Sequence, residues 1–115
     1  MRLWLTLAAL AGFACVAAGA FAAHGLDDPR AQELLRTGSL YGFVHVLAAF
    51  AGSHLRARWV PPLFLAGVLL FSGSLFALAF GAPRMVGAVT PVGGLAFLAG
   101  WATLAWAARG IDPAR

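Results

Sequence analysis

Apolar residues fall into four blocks along the chain, and the charged positions are confined to the gaps between blocks and to their edges. The blocks run over about residues 3–25, 40–56, 62–80 and 91–109. At ~1.5 Å of rise per residue most of them approach the ~30 Å hydrocarbon thickness of a bilayer, so each is predicted as a spanning helix. The expected fold is all-α: an integral membrane up-down four-helix bundle, one transmembrane domain over residues 1–115, with a short interfacial helix between spans 1 and 2.

The stretch GAFAAHGLDDPR, residues 19–30, tests the first block, because Ala20-Phe21-Ala22 also has the small-residue look of a signal-peptide cleavage site. About twenty uncharged residues exceed the roughly 7–15 of a signal-peptide core, and three more spans follow, so a retained helix is expected. Gly25 then reads as its left-handed C-terminal cap. Asp28-Pro29 reads as an N-cap followed by proline at the first helical position, opening the interfacial helix, which stops at Gly38. Trp59 falls where an aromatic anchor belongs, and Pro61-Pro62 open the third span. In GAPRMVGAVTP, Thr90 is expected as the N-cap and Pro91 as the first helical residue, leaving 82–89 as a loop; a longer, Pro-kinked fourth helix is the alternative.

Small residues recur at helical spacing on every span. Ala8, Gly12, Cys15, Gly19 and Ala22 form one stripe, Gly93, Ala96, Gly100, Thr103 and Ala107 another. Gly42, His45, Ala49 and Gly52 share a face of the second span, and Gly67, Ser74 and Gly81 repeat every seven residues in the third. Membrane helices associate by close approach at such positions, so Gly12, Gly19, Gly42, Gly67, Gly93 and Gly100 are the expected packing residues.

Composition supports the bilayer: 62% of residues are hydrophobic and 10% charged, against roughly half and a quarter in soluble domains. The net charge of +4 comes from eight scattered arginines that make no stripe, so no nucleic-acid partner is expected. They bear instead on topology. Arg2, Arg56, Arg58, Arg109 and Arg115 fall on one side, and Arg30, Arg36 and Arg84 on the other, favouring cytoplasmic termini. The lone Cys15 offers neither a disulfide framework nor a metal knuckle and reads as a packed small residue.

Threading the spans up and down puts His24, Tyr41, His45, Ser72, Ser74 and Thr90 in one half of the membrane, with Arg36 and Arg84 at the rim. An ionisable group within a span tends to face a cavity or a partner, so these eight residues are the candidate ligand-binding set. The bland alternative is that His45 stays neutral and bonds Ser74 or a backbone carbonyl, fixing helix register. His24 and His45 together suit haem or a transition metal in principle, but lack carboxylate or thiolate company, so no metal or other cofactor is assigned. There is no Ser-His-Asp set, phosphate loop or intramembrane carboxylate pair, hence no catalytic residue is assigned.

The segments GAFAAHGL (19–26), YGFVHVL (41–47), LFSGSLFAL (70–78) and TPVGGLAFLAGW (90–101) resemble the domain of unknown function 423 family, small four-span membrane proteins of bacteria similar to vertebrate transmembrane protein 256. The resemblance covers nearly the whole chain. It differs at Ala22, where the family usually has Gly, at Gly42, where it has Gln, and at Phe76, where it often has Tyr. It implies a retained first span and a four-helix bundle, and it supplies no substrate.

Three functions follow as expectations. The first is a protein that binds or passes a small solute, lipid or ion through a polar pocket in one half of the bilayer, working as a homo-oligomer. The second is a non-catalytic assembly or scaffold subunit of a larger membrane complex. The third is a His-ligated haem or metal protein.

Overall fold

A computed structural model describes residues 2–110 as four long helices. They are α1 (Arg2–His24), α2 (Pro29–His54), α3 (Val60–Ala79) and α4 (Val89–Ala108), the last preceded by a 3-10 turn at Arg84–Ala88. Arg115, counted in the charge asymmetry, lies outside the described residues. All four helices are long and apolar enough to cross a membrane. Helix α2 packs against α1 and α3, and α4 packs mainly on α3.

Helix α1 buries Ala8, Gly12, Cys15 and Ala22, one narrow stripe. Its end differs from the expectation: Gly25 closes the helix with an N–H donated to Phe21 O at 2.7 Å, but its φ is not positive. A left-handed cap is unnecessary because Gln32 reaches back, Nε2 donating to Leu26 O at 2.5 Å, and anchors the connecting turn to the start of α2. Asp28 caps α2 as its sequence suggests, accepting from Arg30 N at 3.2 Å with Pro29 behind it.

The separate interfacial helix is not formed, because residues 29–54 make one uninterrupted helix. Its 26 residues span ~39 Å, more than the hydrocarbon needs, so the first turns project beyond it. Gly38 fails to stop the helix because it serves close contact: a Cβ there would come within 2.7 Å of the Phe76 ring, and its carbonyl accepts the Ser72 hydroxyl at 2.6 Å.

Two turns use the same device. After α2, Arg56 takes a left-handed φ of 59°, and the Ala57 N–H bonds back to Gly52 O at 2.8 Å, with Ala57 buried. After α3, Gly81 (φ 96°) precedes Ala82, whose N–H bonds to Ala77 O at 3.0 Å. Both are Schellman closures. Gly81 therefore belongs to a turn, not to the packing seam that its seven-residue spacing suggested.

Helix α3 contains a π turn at Val68–Ser72, which holds more residues than an α turn and resets the faces beyond it. Ser72 and Ser74, only two residues apart, are consequently both buried, one towards α2 and one towards α4. The 82–89 segment is neither the expected loop nor a Pro-kinked α-helix. After Ala82-Pro83 it forms the 3-10 turn and enters α4 at Val89. Thr90 is thus within the helix, and its hydroxyl is used elsewhere.

Candidate functional site

His45 is 6% exposed and sits where α2, α3 and α4 meet. Its imidazole stacks on Phe97, ring centroids 3.6 Å apart and nearly parallel at 10°, and meets the Phe64 ring edge-on at 5.3 Å. Nδ1 lies 2.6 Å from the Tyr41 carbonyl, one turn back on the same helix. The Trp101 indole, from α4, donates its N–H to Nε2 at 2.9 Å. An indole nitrogen only donates and a carbonyl only accepts, so the network assigns the proton to Nδ1 and leaves Nε2 bare. His45 is therefore a neutral imidazole with both nitrogens engaged.

Glycines let these rings approach. Gly67 of α3 faces Phe97 of α4, Gly100 of α4 faces Phe64 of α3, and Gly93 of α4 lies against the backbone of Phe71. In each pair a Cβ would collide with its neighbour. On the other side of α2, a Cβ on Gly42 would fall 2.5 Å from Cys15 Sγ and 2.7 Å from Ser72 Oγ. Gly12 faces Val46, and Gly19 faces Ser39.

Ser72, Ser74 and Thr90 do not join His45 in one pocket. Ser72 donates to Gly38 O, tying α3 to α2. Ser74 donates to Phe71 O at 2.9 Å and lies 2.5 Å from Thr90 Oγ1, which leaves Thr90 as the donor in the α3–α4 pair. Ser39, not singled out by its sequence context, donates to Cys15 O at 2.6 Å and ties α2 to α1. Each of the helix pairs α1–α2, α2–α3, α3–α4 and α2–α4 thus carries a side-chain hydrogen bond. Among the described residues no buried side-chain nitrogen or oxygen lacks a partner.

Tyr41 is 47% exposed, its ring 5.0 Å from Phe71. His24, Arg36 and Arg84 are exposed, and none of them hydrogen-bonds or stacks with His45. The His24/His45 pair considered for haem or metal is not assembled: His24 ends α1, and a ligand at His45 would have to displace Tyr41 or Trp101. Trp101 and Phe97 were missed as site residues. Their spacing of four, one helical turn, was the available signal.

Apolar grooves run along the sides of the bundle. One, of about 460 Å³, lies beside Tyr41, His45, Phe71, Pro91 and Trp101. A second, of about 550 Å³, separates the outer faces of α1 and α2 at Ala9, Phe13 and Phe43. A third, of about 490 Å³, lies between α1 and α3.

The family model described as "Protein of unknown function (DUF423)" matches residues 18–94. A UPF0382 membrane protein of Haemophilus influenzae is 49% identical over 112 residues, covering 90% of each chain. The UPF0382 inner membrane protein YgdD of Escherichia coli K12 is 41% identical over 113 residues, covering 90% of this chain and 86% of its own. A UPF0382 membrane protein of Schizosaccharomyces pombe, C1782.12c, is 37% identical over 117 residues, covering 90% of this chain and 98% of its own. No solved structure matches.

Proposed function

The chain belongs to the DUF423 family of membrane proteins, and from that premise we propose that it is a non-catalytic assembly subunit, a rigid bundle that docks through its bilayer-facing surfaces. The observation that carries this reading is the internal engagement of the buried polar side chains: among the described residues none of their nitrogens or oxygens lacks a partner. His45, Ser72, Ser74 and Thr90 bond other parts of the bundle. A solute-passing role would need those groups turned towards a cavity. The outer surfaces are by contrast extensive: α4 buries only Gly93, Phe97 and Gly100. The arginine asymmetry supports termini on the cytoplasmic side.

The test is purification in mild detergent with a tag after Gly110, the same tag serving as the topology reporter. Reproducible co-purification of one larger membrane complex, abolished by bulky substitution on the outer face of α4 at Leu95 and Leu98, supports the proposal. A homo-oligomer free of other proteins, or a His45→Cys variant that folds and reacts with a membrane-impermeant thiol reagent in a Cys15→Ala background, overturns it in favour of a solute-binding pocket.

A further inference from the structure

The groove between α1 and α3 is distinct from the His45 cluster and uses none of its residues. Its walls are apolar, from Trp4 and Leu7 on α1 to Leu65 and Phe76 on α3, with Cys15 and Gly73 further in. Along α1 it runs from Trp4 to Cys15, which is ~16 Å of helix and matches the ~15 Å of a single bilayer leaflet. Its volume of about 490 Å³ lies within the range of ligand sites, roughly 300–1,000 Å³. Gly73 marks the space as open: a Cβ there would meet nothing within 4 Å, unlike Gly42, Gly67 or Gly93.

The mouth of the groove has a defined charge. Spans 1 and 3 run parallel in an up-down bundle, so Trp4 and Pro62, both in first turns, mark the same surface. Arg2 precedes Trp4 by half a turn, and Arg56 and Arg58 lie in the turn just before α3. Arg58 already lies over the Trp59 ring at 5.3 Å. Among the described residues the carboxylates, Asp27, Asp28 and Glu33, all lie at the opposite end, in the α1–α2 connection and the start of α2. An apolar slot one leaflet deep, opening at the surface where Arg2, Arg56 and Arg58 lie with no carboxylate among the described residues, is complementary in charge and shape to a phospholipid with a net negative head.

We propose that this groove holds one acyl chain of an anionic phospholipid whose phosphate is met by Arg2, Arg56 and Arg58. The occupant is a stoichiometric lipid of the surrounding bilayer.

The experiment is native mass spectrometry of the full chain released from vesicles of equimolar phosphatidylglycerol and phosphatidylcholine. One retained phosphatidylglycerol per chain is expected. Gly73→Leu, whose Cβ would meet nothing within 4 Å and whose longer side chain fills the groove, is expected to remove the adduct while leaving the thermal unfolding midpoint in place or higher. Arg56→Gln with Arg58→Gln lowers the preference for phosphatidylglycerol about thirtyfold, at roughly fivefold per arginine. Equal retention of the two lipids, a preference unchanged in the arginine double variant, or a dimer that Gly73→Leu dissociates, the sign of a second copy in the groove, overturns the proposal.

Discussion

At the level of single residues, His45 shows how a titratable side chain is accommodated within a span. Its burial was legible from the face it shares with Gly42, Ala49 and Gly52, all of them buried. Its partner was not legible, since Trp101 is 56 positions away and only the α3–α4 packing brings the indole over Nε2. Of the two partners the bland alternative offered, the backbone carbonyl is the one that accepts from His45, while Ser74 bonds Thr90. Trp101→Phe keeps the ring and removes the N–H, so it is expected to lower stability by about 0.6–2 kcal/mol, the range for interhelical bonds in membranes. His45→Ala also loses the Phe97 stack and leaves a cavity, and is expected to cost about 2–4 kcal/mol. Thermal unfolding in one detergent compares them; equal midpoints for Trp101→Phe and wild type would show that the Trp101 bond contributes nothing.

Elements carry a second lesson, about what periodicity can and cannot report. The α1 stripe of small residues is visible in the bare sequence because a regular helix repeats its faces, and Ala8, Gly12, Cys15 and Ala22 are the residues it buries. Periodicity fails where the helix is irregular. The π turn at Val68–Ser72 shifts the faces of α3, so no fixed repeat relates Gly67, Ser72 and Ser74. Gly38 and Gly81 exchange the roles their spacing suggests, one acting in contact and the other in a turn, because a glycine's use depends on what approaches it. Glycine substitutions should therefore separate by neighbour. Gly94→Ala, with nothing within 4 Å of the added Cβ, is expected to be neutral or to stabilise by up to about 1 kcal/mol. Gly42→Ala, which must move Cys15 and Ser72, should cost about 1–3 kcal/mol. Gly93→Ala should cost most of the three, since the obstacle is the Phe71 backbone, which cannot swing aside. Unfolding midpoints in that order check the packing; a neutral Gly93→Ala would refute it.

For the molecule as a whole, membrane residence and a four-helix architecture follow from the apolar blocks alone, and the relatives are named membrane proteins. The pocket expected in one half of the bilayer illustrates the limit of threading. Placing residues at similar depth says nothing about whether their side chains converge: Tyr41 and His45 line one groove, while Ser72 and the Ser74–Thr90 pair serve separate helix pairs. Because lipid tails supply no hydrophobic force between helices, small-residue contact and a few buried hydrogen bonds must hold such a bundle, and four tied pairs meet that need. The most direct test is nitrogen NMR of the His45 imidazole in lipid bilayers at neutral pH, in a His24→Ala, His54→Ala chain so that one ring reports. The account predicts a protonated Nδ1 and a bare Nε2 whose resonance shifts when Trp101 is replaced by Phe. A proton on Nε2, a doubly protonated ring, or a signal averaged by exchange with water would contradict it.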